Sequence, residues 1–369
     1  MDERLPYPGS DPRTGRLCHD AVNSRAIGRR TTRKCRADPM KMIRFDRFGM
    51  AADVVECVEE PEVGEPGPGE MIVRMLRMPI NPSDLLQTSG RYGASPPPLP
   101  LYMGREGVGY IEKLGPGVNK RLGHFVIPLT APTWCTRVKV KAEMAVHTPV
   151  GADIDQVAML KVNPATAYLM LHDIVHLQPG DWLVQNAANS AVGVYLAKLA
   201  AHAGYKSLNI VRRAEAGEPL REVKGAHVIV HDGGPSEALA AAVKAATGGA
   251  PVKLAIDAIG GPATEALAET VCEGATIVNY GLLSGKRCEI DPKHLVFRRV
   301  TLRGFWVSKW LELSPMDKIQ ALYDTLGKLL EDGVLRVDVA AVYPFDRIKE
   351  AMAHAAKEAR GGKVLITPE

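Results

Sequence analysis

A turn at residues 185–193 (QNAANSAVG) has the residue types best suited to ligand chemistry. It lies between a short apolar run and an amphipathic run, the strand–turn–helix context in which helix N-terminal amides hold a pyrophosphate. Ala187 and Ser190 replace the first two glycines of the usual G-x-G-x-x-G pattern, and Gly193 matches the third. Asn189 and Ser190 add side-chain donors for phosphate oxygens. We therefore predict a dinucleotide site here, with a tight turn that binds nothing as the alternative.

Two arginines follow the next apolar run. Arg212 and Arg213 stand where an NAD enzyme usually has an acidic residue for the ribose hydroxyls. A guanidinium instead matches a 2′-phosphate through paired hydrogen bonds. The pair predicts NADPH rather than NADH, with a solvated surface pair as the alternative.

A regular series of elements must position these residues. Short apolar runs that suit buried strands occur at 182–187, 208–212, 227–231, 254–259, 275–280 and 300–305. Helical patterns separate them at 192–202, 237–246 and 264–271, and a shorter linker follows Arg213. This alternation is typical of a doubly wound parallel sheet, so we expect an α/β Rossmann domain over residues 163–307.

The remainder of the chain has a different pattern. Strand-like runs at 72–78, 124–128 and 137–140 are separated by turns rich in glycine and proline, which predicts a β-rich, barrel-like module. After a helical pattern at 318–331, the C-terminal residues lack the strand–helix alternation. We expect them to return to the first module, so that residues 41–162 and 308–369 form one discontinuous domain.

Composition limits the classes of function. A chain of 369 residues exceeds a single core, and its net charge of +4 argues against a nucleic-acid surface. No apolar run approaches the roughly 18–20 residues of a membrane span. The six cysteines are scattered, which disfavours a zinc site of paired cysteines and a disulfide framework. Residues 1–40 are rich in arginine and poor in periodic apolar residues, so we expect a disordered leader.

Four motifs occur together in one order: 81–84 (NPSD) with 90–93 (GRYG), 162–168 (VNPATAY), 185–193 and 303–310 (RGFWVSKW). On these motifs the chain resembles the medium-chain dehydrogenase/reductase superfamily, and within it the mitochondrial-type 2-enoyl thioester reductases. The resemblance implies a GroES-like catalytic domain, a Rossmann domain, a cleft between them and usually a homodimer.

The resemblance also implies roles for single residues. Tyr92 matches the catalytic tyrosine, and Asn81 is a substrate-side candidate unless it only begins a turn. Phe305 and Trp306 could flank the nicotinamide or the acyl chain, which makes Trp306 a second substrate-side candidate; buried core aromatics are the alternative. Lys363 could reach a phosphate or be solvated. The predicted NADPH contacts are Asn163, Asn189, Ser190, Ala191, Val192, Gly193, Arg212, Arg213, Tyr280, Gly281, Phe305, Trp306 and Lys363.

One segment departs from the branch. Residues 104–107 (GREG) carry Arg105 where a neutral polar residue is expected, which leaves the acyl chain and the thioester carrier open. Zinc alcohol dehydrogenases of this fold have a ligating histidine in the segment, whereas arginine stays charged and has no free lone pair. No cysteine stands near residues 81–84, so we expect no metal.

Reduction of a conjugated thioester without a metal needs a donor for the enolate oxygen. The hydroxyl of Tyr92, on a loop between Arg91 and Gly93, can serve as this donor and as the acid; an aromatic that only stabilises a turn is the alternative. The predicted function is NADPH-dependent reduction of the 2,3 double bond of trans-2-enoyl thioesters, carried by CoA or an acyl carrier protein, in fatty acid synthesis.

Other functions remain open. An NADPH quinone or alkenal reductase of the same zinc-free fold would share the cofactor site. A non-catalytic NADPH-binding protein would have an eroded cofactor turn or lack the tyrosine. We predict a location in the bacterial cytoplasm, with the mitochondrial matrix as the alternative, because the arginine-rich leader also carries acidic residues.

Overall fold

The computed structural model describes residues 39–93, 95–130, 132–149 and 151–369. The predicted leader lies outside the described residues, except for its last two positions. Met40, the last position of that leader, is the buried first residue of a strand.

The β-rich module begins with eight strands: β1 (Met40–Phe45), β2 (Glu56–Glu60), β3 (Glu70–Pro79), β4 (Leu101–Tyr102), β5 (Val108–Leu114), β6 (Phe125–Pro128), β7 (Arg137–Lys141) and β8 (Ala145–His147). Three helices accompany them: α1 (Ala51–Val54), α2 (Pro82–Thr88) and α3 (Ile154–Ala158). Strand β1 pairs with β2 and β4, while the long strand β3 pairs with β5 and β7, all antiparallel. The predicted strands 72–78, 124–128 and 137–140 are confirmed in β3, β6 and β7.

Strand β3 shows why this module folds around its own core. Met71, Val73 and Met75 are buried, whereas Arg74 is only half-buried and forms ion pairs at the surface. The face of Met71, Val73 and Met75 is apolar and must pack against other elements, while the opposite face is mixed, since Ile72 is also buried. The apolar face packs in a cluster with aromatic side chains such as Trp134.

Six parallel strands form the second module: β9 (Trp182–Gln185), β10 (Lys206–Val211), β11 (Ala226–Val230), β12 (Val252–Asp257), β13 (Thr276–Asn279) and β14 (Thr301–Gly304). Their spatial order is β11-β10-β9-β12-β13-β14. The helices are α4 (Asn163–His172), α5 (Ala191–His202), α6 (Glu218–Arg221), α7 (Ser236–Thr247), α8 (Pro262–Thr270) and α9 (Pro292–Val296). The predicted doubly wound sheet is confirmed.

The predicted strands extend too far at several carboxyl ends. The run 182–187 was expected to be one strand, but β9 ends at Gln185 and Ala187 has a φ of 46°. A left-handed backbone cannot continue a strand. The apolar pattern of the sequence therefore runs past the end of strand β9 and into the turn at the carboxyl edge of the sheet.

The C-terminal residues complete the first module. They form α10 (Val307–Leu313), α11 (Met316–Glu331), β15 (Val339–Pro344), α12 (Ile348–Ala356) and β16 (Lys363–Thr367). Strand β16 pairs antiparallel with β3, with Leu365 opposite Pro79 and Ile366 opposite Met78. The discontinuous, GroES-like module is thereby confirmed, while its boundaries at 162/163 and 307/308 stay predictions. None of the helices in the described ranges is long and apolar enough to cross a membrane.

Candidate active site

Most of the predicted cofactor residues lie at one edge of the parallel sheet, whereas Asn163 begins α4 and Lys363 begins β16. Residues 186–193 follow β9, Arg212 and Arg213 follow β10, Tyr280 and Gly281 follow β13, and Phe305 and Trp306 follow β14. Ligands of open α/β sheets bind outside the carboxyl ends of the strands. The topology therefore brings together residues that are far apart in sequence.

The turn after β9 begins helix α5 with an N-cap. Ser190 accepts a hydrogen bond at Oγ from the amide of Gly193, at 3.1 Å. The amides of Ala191 and Val192 are the first two of the helix, and such amides have no partner inside it. A Cβ on Gly193 would lie 2.5 Å from the carbonyl oxygen of Ala188, so glycine is required there. The turn presents amides to an anion and keeps the helix close to the sheet.

The turn after β13 faces the same helix start. A Cβ on Gly281 would lie 2.3 Å from the carbonyl oxygen of Ala258. Burial raises the pKa of the Tyr280 hydroxyl to about 12, although a hydrogen bond with Ser190 opposes the shift. Tyr280 therefore stays protonated at neutral pH and adds a hydroxyl beside the turn.

The two arginines after β10 are both exposed. A terminal nitrogen of Arg212 lies 3.1 Å from a carboxylate oxygen of Glu358, but both side chains are about two-thirds exposed. A surface ion pair of this kind is worth about 0–1 kcal/mol. Either guanidinium could therefore turn towards a phosphate at little cost.

Tyr92 and Trp306 meet across the two modules. The indole Nε1 of Trp306 donates a hydrogen bond to the hydroxyl of Tyr92, at 2.9 Å, and the rings form a T-shaped pair with centroids 5.9 Å apart. Because the tyrosine oxygen accepts this bond, its own proton stays available for another acceptor. Trp306 is 47% exposed, so this contact faces solvent rather than the core.

A buried polar network joins the β-rich module to the start of helix α4. The side-chain amide nitrogen of Asn81 donates to Glu106 at 2.6 Å, and its oxygen accepts from Asn163 at 3.0 Å and from Lys363 at 2.5 Å. Lys363 also donates to the carbonyl of Ile80, at 2.9 Å. Lys363 is 2% exposed, so the alternative of a solvated lysine was wrong. Hydrogen bonds within the protein therefore already engage the side chains of Asn81, Asn163 and Lys363, without any ligand.

Burial shifts every titratable group of this network. It raises the pKa of Asp84 to about 6 and that of Glu106 to about 7. It lowers the pKa of Lys161 and of Lys363 to about 8 in each case. The attraction between Glu106 and Lys363 opposes both shifts, so we treat them as a mutually stabilised pair. Asp84 also accepts from the amide of Asn81, at 2.7 Å, which gives it the structural role expected for it.

Comparisons with known proteins identify the family. Residues 67–160 match the alcohol dehydrogenase GroES-like domain, and residues 191–322 match the domain described as zinc-binding dehydrogenase. The mitochondrial enoyl-[acyl-carrier-protein] reductase of Arabidopsis thaliana is 34% identical, over 89% of this chain and 88% of that protein. The chain belongs to the enoyl thioester reductase branch of the medium-chain dehydrogenase/reductase superfamily.

Two solved structures are similar to this reductase-family chain. A Bacillus thuringiensis protein assigned as an NADPH:quinone reductase has a TM-score of 0.82 and 31% identity, over 89% of this chain and 99% of that one. The T175V mutant of Etr1p, in complex with NADP and crotonyl-CoA, has a TM-score of 0.77 and 25% identity, with the same coverage.

The zinc named in the description of one family domain does not fit the residues of this reductase-family chain. At the segment where a ligating histidine would be expected stands Arg105, which has no free lone pair. The adjacent Glu106 already accepts at one oxygen from Asn81 and at the other from the amide of Val162, at 2.8 Å. Lys161 and Lys363 add cations to the same site.

A different group in the described ranges has metal-ligand spacing: Glu265, Glu269 and His294. Lys293 forms an ion pair with Glu269 at 2.8 Å, and Arg298 contacts Nδ1 of the histidine at 2.6 Å. The other ring nitrogen faces Glu265 at 3.1 Å. Both ring nitrogens thus have partners, and the nearby cations Lys293 and Arg298 already balance the charge of the glutamates.

Sequence reasoning missed two buried acids of this reductase-family chain. Glu106 connects Asn81 to Val162, and Asp257, at the end of β12, accepts from Asn186 at 2.7 Å and from Thr264 at 2.7 Å. The only sequence signal for Asp257 was a lone carboxylate inside an apolar run. Such a residue is buried only when hydrogen bonds compensate it.

Proposed function

We propose that this protein is an NADPH-dependent reductase of trans-2-enoyl thioesters. The observation that carries the proposal is the hydrogen bond between Tyr92 and Trp306, which leaves a free hydroxyl proton beside the strand ends. The names of the relatives support the same chemistry, since one is an enoyl-[acyl-carrier-protein] reductase and one was solved with NADP and crotonyl-CoA.

The proposed cofactor site combines the turn after β9 with the arginines after β10. The amides of Ala191 and Val192 and the hydroxyl of Ser190 would hold the pyrophosphate. Arg212 or Arg213 would hold the 2′-phosphate, because a guanidinium suits a dianion that an acidic residue would repel. When bound, NADPH supplies a hydride to the β-carbon of the conjugated thioester.

The chain supplies the remaining chemistry. Tyr92 donates its proton first as a hydrogen bond to the thioester oxygen, where negative charge develops, and then as an acid towards the α-carbon. Trp306 fixes the direction of the hydroxyl by donating to its oxygen. Atoms balance because one hydride and one proton add across the double bond. No residue of the site needs a metal for these steps.

The carrier and the assembly follow less directly. CoA and an acyl carrier protein both present the same thioester, so we propose the thioester class and leave the carrier to the assay. A homodimer is supported by strand β14, which ends the parallel sheet, and by Val296 and Phe297, which are 64% and 80% exposed close by in sequence. An open edge beside apolar side chains favours association.

The name of the Arabidopsis relative favours the mitochondrial matrix over the bacterial cytoplasm.

Quinone reduction is the second candidate. The Bacillus thuringiensis structure has a higher identity and TM-score than the crotonyl-CoA complex. A quinone also accepts a hydride and develops an anionic oxygen, so the same hydroxyl would serve. The two candidates differ in substrate rather than in cofactor.

A comparison of substrates tests the proposal. NADPH oxidation at 340 nm is measured with crotonyl-CoA, trans-2-hexenoyl-CoA and a simple quinone, with NADH as the cofactor control. We expect kcat/KM for the enoyl thioesters to exceed that for the quinone, and NADPH to be preferred over NADH. Turnover of the quinone alone would transfer the function to the second candidate.

A further inference from the structure

Arg105 is a charged side chain beside Tyr92 that the proposed function does not use. Its guanidinium carbon lies 5.4 Å from the centroid of the Tyr92 ring. Its Nε is buried and has no hydrogen-bond partner in the part of the chain that the structure describes. A buried donor that finds no partner costs about 1–3 kcal/mol, so a bound acceptor at this nitrogen would be stabilised.

The backbone of Arg105 is held firmly. Its carbonyl accepts from the ammonium of Lys161, which also donates to the carbonyl of Leu129 at 2.9 Å. On the preceding residue, Gly104, a Cβ would lie 2.4 Å from the backbone nitrogen of Trp134. The guanidinium therefore projects from a fixed segment, not from a flexible loop.

The charges around it do not cancel. Three cationic side chains, Arg105, Lys161 and Lys363, accompany two carboxylates, Asp84 and Glu106. Burial favours the neutral form of the two acids and of the two lysines alike, so the charge of Arg105 is the one left unbalanced. The site consequently has an excess of positive charge, and an anion that forms there is stabilised more than it would be in water.

We propose that Arg105 is a further catalytic residue, whose guanidinium donates to the substrate oxygen that becomes anionic as hydride arrives, beside the hydroxyl of Tyr92. The location rests on the proposed function. The C–H bond at C3 forms with the hydride that NADPH would supply as it is oxidised to NADP+. The electron pair of the C2=C3 double bond becomes a C1=C2 bond, and the carbonyl pair moves onto the thioester oxygen. The carbonyl re-forms as C2 takes the proton of Tyr92, which solvent replaces. Arginine stays protonated throughout, so it stabilises the charge while Tyr92 supplies the proton.

The test compares Arg105→Gln and Arg105→Lys with the matched control Arg121→Gln, which removes an exposed guanidinium from the same module. Removal of one oxyanion donor lowers kcat by about 10²–10³-fold in comparable sites. We expect this loss in Arg105→Gln, with KM for crotonyl-CoA within about threefold of wild type, because the contact strengthens only in the transition state. Arg105→Lys keeps the positive charge but lacks the paired N–H donors of a guanidinium, so it should recover part of kcat.

Two readouts separate catalysis from packing. NADPH affinity, measured by fluorescence titration, should be unchanged, and the combination with Tyr92→Phe should lose less than the product of the two single losses, because both groups act on one oxygen. A kcat for Arg105→Gln within about threefold of wild type would overturn the proposal. If Arg105→Gln does not fold, the test rests on Arg105→Lys. A wild-type kcat together with a changed KM in that variant would also overturn the proposal.

The outcome also separates this proposal from the proposed function. If wild type reduces the quinone and not crotonyl-CoA, the proposed function fails, and the variants are compared on the quinone, whose oxygen also becomes anionic. A loss of kcat there would still support Arg105. A wild-type protein that reduces neither acceptor would overturn both.

Discussion

Tyr92→Phe should separate catalysis from stability more sharply than any other single change. The variant removes one oxygen and keeps the ring, so the T-shaped contact with Trp306 and the stacking of Arg105 persist. The lost hydrogen bond is one intramolecular contact at a half-exposed position. Such a contact contributes about 0.5–1.5 kcal/mol, and water can replace it here, so stability should fall by about 1 kcal/mol or less.

The effect on turnover should be much larger. Loss of an oxyanion donor costs about 2.7–4 kcal/mol of transition-state stabilisation, which is about 10²–10³-fold in kcat. The protein would thus lose most of its activity while its unfolding midpoint moves by no more than a few degrees.

The assay follows NADPH oxidation with crotonyl-CoA in wild type, Tyr92→Phe and the control Tyr110→Phe, a half-buried tyrosine of β5 in the same module. Thermal unfolding and NADPH affinity are measured on the same samples. A kcat for Tyr92→Phe within about threefold of wild type would refute the role of the hydroxyl. A proportional loss of stability and activity would instead assign Tyr92 to packing.

Three further changes test the rest of the site. In Gly193→Ala the new methyl group would lie 2.5 Å from the carbonyl oxygen of Ala188. We therefore expect the free energy of unfolding, measured with denaturant, to fall by about 1–3 kcal/mol, and NADPH binding to weaken. Unchanged stability would contradict the contact. Replacing both Arg212 and Arg213 by alanine should raise the Kd for NADPH at least about tenfold and leave that for NADH unchanged; equal effects would remove the 2′-phosphate assignment. Burial raises the pKa of Glu106 from 4.5 to about 7, so the stability that its protonated form contributes is present below pH 4.5 and is lost as the pH rises through 7. In Glu106→Gln the free energy of unfolding should therefore decline less between pH 5 and 7.5 than in wild type. Identical pH profiles would mean that Glu106 does not titrate in this range.

The Rossmann domain could be predicted because its central strands, β9, β10 and β12, are buried on both faces. Runs such as 208–212 and 254–259 are largely apolar and alternate with helical patterns, and this signal depends only on local sequence. The turn at 185–193 was found for the same reason, since its position between strand and helix gives meaning to Ser190 and Gly193. Backbone geometry was harder, because the left-handed Ala187 carries no glycine signal.

The polar network could not be predicted, because it depends on contacts between distant segments. Asn81 and Lys363 are 282 residues apart in sequence, and Lys363 reaches Asn81 only after β16 has paired with β3. A sequence shows a lysine on a strand but not whether it is solvated. The contact between Tyr92 and Trp306, across 214 residues, has the same origin.

Isotope transfer tests the central claim most directly. The protein is given crotonyl-CoA and NADPH that carries deuterium at both C4 positions, and the product is analysed by mass spectrometry and NMR. The account predicts butyryl-CoA with one deuterium at C3 and a solvent-derived proton at C2. Deuterium at C2, or no butyryl-CoA despite NADPH oxidation with the quinone, would contradict it.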